Sequence, residues 1–196
     1  MIYLVRHGQT IRNKEKVLQG RSDAPLNEAG VLQARRCAEC FTEQGVVFDR
    51  VYTSPLVRAA ETARIISGKE EIITDERLIE MDYGPYEGVS LVDLPEELIW
   101  FFSDFVNHKE PEGMESLASV VRRLGEFLEE EKSRMEGNIL ISTHAIAMKG
   151  ALEYLTPTSR GAYWTKNIGN CGIYQTRLVD GRYTVPAELW NGIMEW

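Results

Sequence analysis

The chain opens with the sequence IYLVRHG at residues 2–8. Its apolar part is typical of a buried strand, and it ends in Arg6 and His7, as a strand does where it enters a loop at its carboxyl end. The sequence NILISTH at residues 138–144 repeats this pattern, with His144 at its end. These two stretches predict buried strands that each carry a histidine to their carboxyl end.

Strand and helix patterns alternate along most of the chain. Further strands are predicted at residues 48–52 and 72–74. Helices are predicted from Asn27 to Gly45 and from Glu115 to near Gly137. A further helix is predicted after His144, through Leu155. Residues 171–178 and 183–185 predict a hairpin across Asp180 and Gly181. This order predicts an α/β fold: one domain over residues 1–196, a three-layer sandwich with a mostly parallel central sheet, helices on both faces and an antiparallel edge.

A third side chain is expected at the edge of the sheet that holds the two histidines. Ser54 follows the 48–52 strand as a candidate helix cap, with Pro55 at the first helical position, so that Arg58 lies in the first turn. In such sheets the ligand site lies outside the carboxyl ends of the strands. His7, Arg58 and His144 are therefore predicted to converge on one crevice.

The composition restricts the partners of this chain. Its 196 residues carry a formal net charge of −8, with 43% hydrophobic and 27% charged residues. An acidic surface repels nucleic acids and anionic membranes, and no apolar run is long enough to span a bilayer. A strand-like N-terminus without a secretory signal makes a cytoplasmic location the expectation. An anionic substrate would need a local cluster of cations.

The cysteines and histidines do not predict a metal site. Cys37 and Cys40 lie in a helical pattern, and together with Cys171 they are expected to be reduced and buried. A zinc site would need further ligands, yet the chain has only three histidines. Neither a metal nor another cofactor is predicted.

The predicted crevice suits a phosphoryl group. Guanidinium groups of Arg6 and Arg58 match phosphate oxygens, a neutral imidazole is a competent nucleophile, and the helix N-terminus near Arg58 adds a positive dipole. A small-molecule phosphate ester is therefore the expected partner.

The same residues carry a family resemblance. The segment Leu4-Val5-Arg6-His7-Gly8-Gln9-Thr10 resembles the signature of the histidine phosphatase superfamily, which includes the cofactor-dependent phosphoglycerate mutases. Further similar blocks follow in the same order: Asn13, Gln19-Gly20 and residues 23–27, 54–59, 80–88, 113–116 and 142–144. Several ordered blocks are far more specific than one short pattern. One departure is Ala145, where many members have glycine.

The resemblance implies a role for each matching residue. His7 would be phosphorylated, Arg6, Arg58 and His144 would bind the phosphoryl oxygens, Asn13 would assist, and Glu80 would donate a proton to the leaving group. Gln19, Gly20 and Ala145 belong to the same predicted substrate-binding set. Asp82 and Glu87, in the acidic stretch around Glu80, are interpreted as structural. The implied enzyme is a metal-independent phosphoric monoester hydrolase that resembles the histidine acid phosphatases.

Two other functions remain open at this point. A phosphoglycerate mutase-type phosphoryl transfer is one, but mutases of this family carry a longer insertion with an arginine pair. The corresponding residues 89–111 are short here and hold only His108 and Lys109 as basic residues, which favours a phosphatase. The other is a non-catalytic module that binds phosphate esters, because a fold alone does not prove activity.

Two aromatic segments allow more than one interpretation. The insertion at 89–111 is expected to face the substrate, and its aromatic residues Trp100, Phe101, Phe102 and Phe105 either join the core or line the pocket mouth. The apolar tail with Trp190, Met194 and Trp196 either packs on the domain or is buried in a homodimer.

Overall fold

A computed structural model describes residues 1–192 of the chain; Met194 and Trp196 of the predicted tail lie outside the described residues. The strands are β1 (Ile2–Arg6), β2 (Arg50–Thr53), β3 (Ile73–Thr74), β4 (Ile139–Thr143), β5 (Ile173–Thr176), β6 (Leu178–Val179), β7 (Arg182–Tyr183) and β8 (Ala187–Trp190). The helices are α1 (Ile11–Lys14), α2 (Glu28–Glu43), α3 (Val57–Ser67), α4 (Glu96–Ser103), α5 (Leu117–Glu131) and α6 (Ala145–Leu155). Short 3₁₀ turns lie at Glu76–Leu78, Gly84–Tyr86, Lys132–Arg134 and Pro157–Ser159.

Six strands form the central sheet, in the order β3-β2-β4-β1-β5-β8. The four strands from β3 to β1 are parallel, whereas β5 and β8 are antiparallel to their neighbours. In the pairing of β1 with β4, Arg6 lies opposite Thr143. This register brings His7 and His144, the residues that follow the two strands, to adjacent positions at one edge.

Helices cover both faces of the sheet. Along β1, Ile2 and Leu4 belong to the core that includes residues of α5 and α6, whereas Tyr3 and Val5 belong to the core that includes residues of α2 and α3. This alternation follows from the two-residue period of a strand, and both faces are apolar because both are covered. The predicted three-layer α/β sandwich is confirmed.

The helix that carries Arg58 begins later than predicted. Its first residue is Val57, and its N-cap is Leu56, which makes no side-chain capping bond. Ser54 was expected to cap this helix; instead its Oγ lies 2.7 Å from Nε2 of His144 and accepts the N–H of Leu56 at 3.3 Å. Arg58 still lies in the first turn, as predicted.

The C-terminal hairpin also differs from the prediction. The expected strand at 171–178 is divided at Arg177, whose N–H donates to Oγ1 of Thr184, while the Thr184 N–H donates to the carbonyl of Arg177. As a result, β6 and β7 form a separate two-stranded sheet around Asp180 and Gly181, which both have positive φ. The antiparallel edge of the main sheet is completed by β8.

The aromatic residues of the insertion divide between core and surface. Phe101 is fully buried, and Phe102 and Phe105 pack against the same core. Trp100 is 61% exposed and stacks on His108, with 3.7 Å between ring centroids. In the C-terminal strand, Trp190 is 42% exposed.

Two further features bear on the sequence expectations. Cys37 and Cys171 are buried free thiols, and Cys40 is half-buried. Within residues 1–192, no helix combines the length and the apolar character needed to cross a membrane.

Candidate active site

The candidate site lies where β1, β2 and β4 end. The His7 N–H donates to the Thr143 carbonyl at 2.9 Å, which continues the β1–β4 pairing by one residue. The rings of His7 and His144 then approach to 5.1 Å between centroids. The structure thus brings together His7, Arg58 and His144, from three separate segments, at the carboxyl ends of the strands.

The hydrogen bonds of His7 assign its tautomer. Nδ1 lies 2.7 Å from the carbonyl oxygen of Gly8, which can only accept, so Nδ1 carries the proton. Nε2 accepts the Nε–H of Arg58 at 3.2 Å and is therefore the unprotonated nitrogen of the ring, with its lone pair bonded to Arg58. Burial, followed by the charges of Arg58 and Arg6, holds the pKa of His7 well below 6.5. The ring is neutral and suited to nucleophilic attack through Nε2.

Arg58 is fully buried and held by backbone carbonyls. One terminal nitrogen donates to the Gly20 carbonyl at 2.6 Å and the other to the Ser22 carbonyl at 2.8 Å. Burial lowers the pKa of Arg58 to about 10, while Glu80 and other carboxylates oppose that shift. The side chain remains a cation at neutral pH, fixed beside the nucleophile.

Arg6 supplies a second cation with an unused donor. Its Nη1 donates to the Ile168 carbonyl at 2.5 Å, and its Nε is buried without a hydrogen-bond partner among the described residues. Burial lowers the pKa of Arg6, and Glu80 partly offsets this. A buried guanidinium N–H gains from an anionic acceptor, which a phosphoryl oxygen provides.

His144 is oriented by Ser54. Ser54 Oγ accepts the N–H of Leu56 and lies 2.7 Å from Nε2 of His144. We interpret the Ser54 hydroxyl as the donor of the second bond, which leaves the ring proton on Nδ1. That Nδ1 is buried and has no hydrogen-bond partner in the part of the chain that the structure describes. Burial, with Arg58 and His7 as further causes, holds the pKa of His144 well below 6.5. His144 is thus a neutral hydrogen-bond donor.

Glu80 lies at the N-terminus of α6. Its Oε1 accepts the N–H groups of Met81 and Ala147, each at 2.9 Å, and its Oε2 accepts that of Ile146 at 3.2 Å. The side chain is 3% exposed. Oε2 accepts only one of these bonds and retains a lone pair that can carry a proton.

The other predicted binding residues have mixed surroundings. Asn13 Oδ1 accepts from the Thr10 N–H and from Asn170 Nδ2, which leaves the Asn13 amide group as a donor. Gln19 is buried, and its Nε2 has no partner among residues 1–192. Both backbone polar groups of Gly20 are bonded, its N–H to Glu87 and its carbonyl to Arg58. Ala145 is half-buried in the first turn of α6.

The structure also identifies positioning residues that sequence reasoning missed. Thr62 Oγ1 accepts the Gly8 N–H at 3.0 Å, and Asn170 Nδ2 donates to the His7 carbonyl at 3.0 Å. Ser54 was interpreted only as a helix cap. Ser54 follows a strand, as His144 does, and it begins the family-like block at residues 54–59. These two sequence signals indicate a place near the site but not a bond to His144.

The surroundings of Glu80 match the structural interpretation of its acidic neighbours. Glu87 accepts from the Gly20 N–H and the Ser22 hydroxyl and pairs with Arg12 at 3.6 Å. Asp82 caps the following turn through the Gly84 N–H and pairs with Arg21 at 3.3 Å. No group of three or more His, Cys, Asp or Glu side chains that could hold a metal ion occurs in residues 1–192.

Comparison with known proteins agrees with this geometry. The model of the histidine phosphatase superfamily (branch 1) matches residues 2–191, and the chain belongs to that superfamily. It is 34% identical to a putative phosphoserine phosphatase 2 of Hydrogenobacter thermophilus, over 94% of this chain and 92% of that protein. It is also 34% identical to a 2,3-bisphosphoglycerate-dependent phosphoglycerate mutase of Parvibaculum lavamentivorans, over 96% of this chain and 95% of that protein.

A solved structure shares the whole fold. The phosphoserine phosphatase of Entamoeba histolytica, in complex with 3-phosphoglyceric acid, superposes with a TM-score of 0.81 at 25% identity, covering 99% of this chain and 97% of that chain. Family and relatives together support a phosphatase or phosphoryl-transfer enzyme that acts on small phosphorylated metabolites.

Proposed function

We propose that the chain is a metal-independent phosphomonoesterase that acts on a small phosphorylated metabolite through a phosphohistidine at His7. The observation that carries this proposal is the pair of bonds on the His7 ring, Nδ1 to Gly8 and Nε2 to Arg58. They identify the ring as neutral, leave Nε2 as the unprotonated nitrogen and set a fixed cation beside it. The histidine acid phosphatase-like subtype and the cytoplasmic location expected from the sequence remain predictions.

In the first step, the Arg58 Nε–H moves its hydrogen bond from Nε2 of His7 to a phosphoryl oxygen. The freed lone pair of Nε2 attacks the phosphorus as the bond from phosphorus to the ester oxygen breaks. The negative charge on the transferring oxygens is stabilised by Arg6, Arg58 and the Nδ1–H of His144, which are in place before the reaction begins. The departing alkoxide takes the proton of Glu80 and leaves as an alcohol.

In the second step, Glu80 acts in the opposite direction. Its carboxylate accepts a proton from water, the resulting hydroxide oxygen attacks the phosphohistidine, and the bond from phosphorus to Nε2 breaks. The products are inorganic phosphate, free His7 and a protonated Glu80 ready for the next turnover. Fixed cations stabilise both steps, and the proposed mechanism routes neither through a metal ion.

The insertion favours hydrolysis over a mutase reaction. Its basic residues are His108 and Lys109, and the Nδ1 of His108 lies 2.6 Å from the Trp100 carbonyl while the ring stacks on that tryptophan. His108 is therefore occupied locally and is poorly placed to hold a second phosphate group.

Turnover of a panel of phosphate esters, with and without EDTA, tests the proposal. His7→Ala should abolish turnover. Because His7 is buried and accepts the Arg58 Nε–H, the variant should also unfold at a lower temperature, and a cooperative thermal transition would show that it remains folded. Activity of the variant within about tenfold of wild type would exclude His7 as nucleophile. Loss of activity in EDTA, with recovery on adding a divalent ion, would contradict metal independence.

A further inference from the structure

Lys149 is a cation close to the crevice that the proposed reaction does not use. It lies on α6, whose first turn holds Glu80, and its Nζ donates to the Trp164 carbonyl at 2.9 Å. Arg6 donates to the Ile168 carbonyl, four residues further along the same loop. Lys149 and Arg6 are thus joined to one short segment of backbone, whose residues 165–167 are exposed.

The position of Lys149 on its helix directs it toward the site. Within residues 145–150, Ala145 and Lys149 are the two that are partly exposed, whereas the others are buried. Residues four apart share a helix face, and side chains lean toward the helix N-terminus. The Lys149 side chain therefore leaves α6 on the same face as Ala145, the residue that follows His144.

The surroundings of Lys149 favour an anionic partner. Its Nζ lies 5.4 Å from the ring centroid of Phe105, so one wall of its site is apolar. Burial lowers the pKa of Lys149 to about 8; Arg6 adds to this shift and Glu80 opposes it. An ammonium in such a place gains more from a carboxylate than from the carbonyl that it contacts here.

In the proposed reaction Arg6 and Arg58 bind the phosphoryl oxygens, which leaves the charge of Lys149 for a further anionic group of the substrate.

We infer that Lys149 binds a carboxylate of the substrate, so that the preferred substrates are phosphomonoesters of small hydroxy acids. The inference rests on the proposed function, since it places the phosphoryl group at His7. It also differs from the expectation, based on residues 89–111, that a second anionic group would find little to hold it. The cation comes from α6, and Phe105 of the insertion forms the apolar wall beside it.

The test compares two substrates that differ at one group: 3-phosphoglycerate and glycerol 3-phosphate, in which a hydroxymethyl replaces the carboxylate. Wild type should prefer 3-phosphoglycerate in kcat/KM. Lys149→Met should reduce that preference about tenfold to a hundredfold, as expected for loss of a charge-assisted bond, and Lys149→Arg should retain most of it. Lys166→Met, which removes an exposed lysine of the nearby loop, should leave the ratio unchanged.

Several results would overturn the inference. If Lys149→Met lowered kcat/KM equally for both substrates, and Lys149→Arg lowered it by the same factor, Lys149 would only stabilise the local packing. A matching loss of preference in Lys166→Met would mean that the general field of the crevice selects the carboxylate. If wild type did not prefer 3-phosphoglycerate over glycerol 3-phosphate, Lys149 would have no role in binding a carboxylate.

Binding measurements separate this inference from the proposed function. Calorimetry on His7→Ala protein, with and without Lys149→Met, compares the dissociation constants of the two ligands without turnover. If the enzyme hydrolysed no phosphate ester of the panel but still bound 3-phosphoglycerate more tightly through Lys149, the proposed function would fail and the inference would stand. Equal loss of affinity for both ligands would reject the inference, whatever the activity of the wild type.

Discussion

Arg58 donates its Nε–H to the Nε2 of His7 at 3.2 Å. The rest of the guanidinium is held by the carbonyls of Gly20 and Ser22. A cation fixed in this way disfavours a positive charge on His7, because protonation would set two cations in contact in a buried site. Burial and this cation together lower the pKa of His7 and keep the nucleophile neutral, and the same cation is in place to bind the phosphoryl oxygens.

This relationship predicts the protonation state of His7. ¹⁵N NMR of the imidazoles should show a neutral ring with its proton on Nδ1 at pH 6, since burial and Arg58 hold the pKa well below 6.5. The unfolded chain takes up a proton near pH 6.5 that the folded ring does not, so the free energy of unfolding should fall as the pH is lowered below 6.5. His7→Ala should weaken that dependence. An imidazolium signal from His7 at pH 6 would contradict the account.

The sequence predicted the part of the fold that depends on local pattern. Apolar runs of four or five residues identify β1 and β4, and the carboxyl ends of parallel strands lie at one edge of the sheet. The sequence alone therefore predicted that His7 would lie beside His144. It did not predict the residue at which α3 begins. Ser54 has two options, to cap a helix or to bond another partner, and the partner is His144, 90 residues away in the chain. A local sequence pattern cannot show that Ser54 bonds a residue so far away in the chain.

The role of Lys149 was hidden for a related reason. A lysine in a helix is usually solvated, and only the packing of α6 against the Trp164 loop makes this one partly buried. The division of the C-terminal hairpin depends in the same way on the Thr184 side chain, which bonds the Arg177 backbone. Features set by contacts between distant segments were the ones that the sequence left undetermined.

Ser54 offers a test of how His144 is oriented. Ser54→Ala removes the hydroxyl that assigns the proton of His144 to Nδ1, so the rate of His7 phosphorylation should fall about tenfold or more. Ser142→Ala is the matched control, because Ser142 is equally buried and donates to the Ala59 carbonyl rather than to a histidine. Single-turnover kinetics of both variants should separate them. If both variants slowed the phosphorylation of His7 by the same factor, Ser54 would contribute packing and would not orient His144.

Removal of the Glu80 carboxyl should discriminate between leaving groups. With an alkyl phosphate the departing alkoxide is very basic, so Glu80→Gln should slow formation of phosphohistidine by roughly two to four orders of magnitude. With p-nitrophenyl phosphate, whose leaving group needs little protonation, the same step should be much less affected. The comparison requires single-turnover measurement, because Glu80 also serves as base in the hydrolysis step.

The structure anticipates one complication of the Glu80 experiment. Glutamine can still accept the N–H groups of Met81 and Ala147, but its amide would face the Ile146 N–H at the start of α6. That mismatch should cost about 1 kcal/mol in the free energy of unfolding. If both substrates lost the same factor, Glu80 would be holding α6 in place, and Asp82 or Glu87 would be the next acids to test.

The central claim is that phosphate is transferred to His7, and trapping that intermediate tests it most directly. Wild-type protein mixed with p-nitrophenyl phosphate and quenched in alkali should carry one phosphoryl group by intact mass. That group should be lost in acid, be located on Nε2 of His7 by NMR, and be absent from His7→Ala. Turnover without any adduct in the wild type, or the same adduct in His7→Ala, would contradict the account.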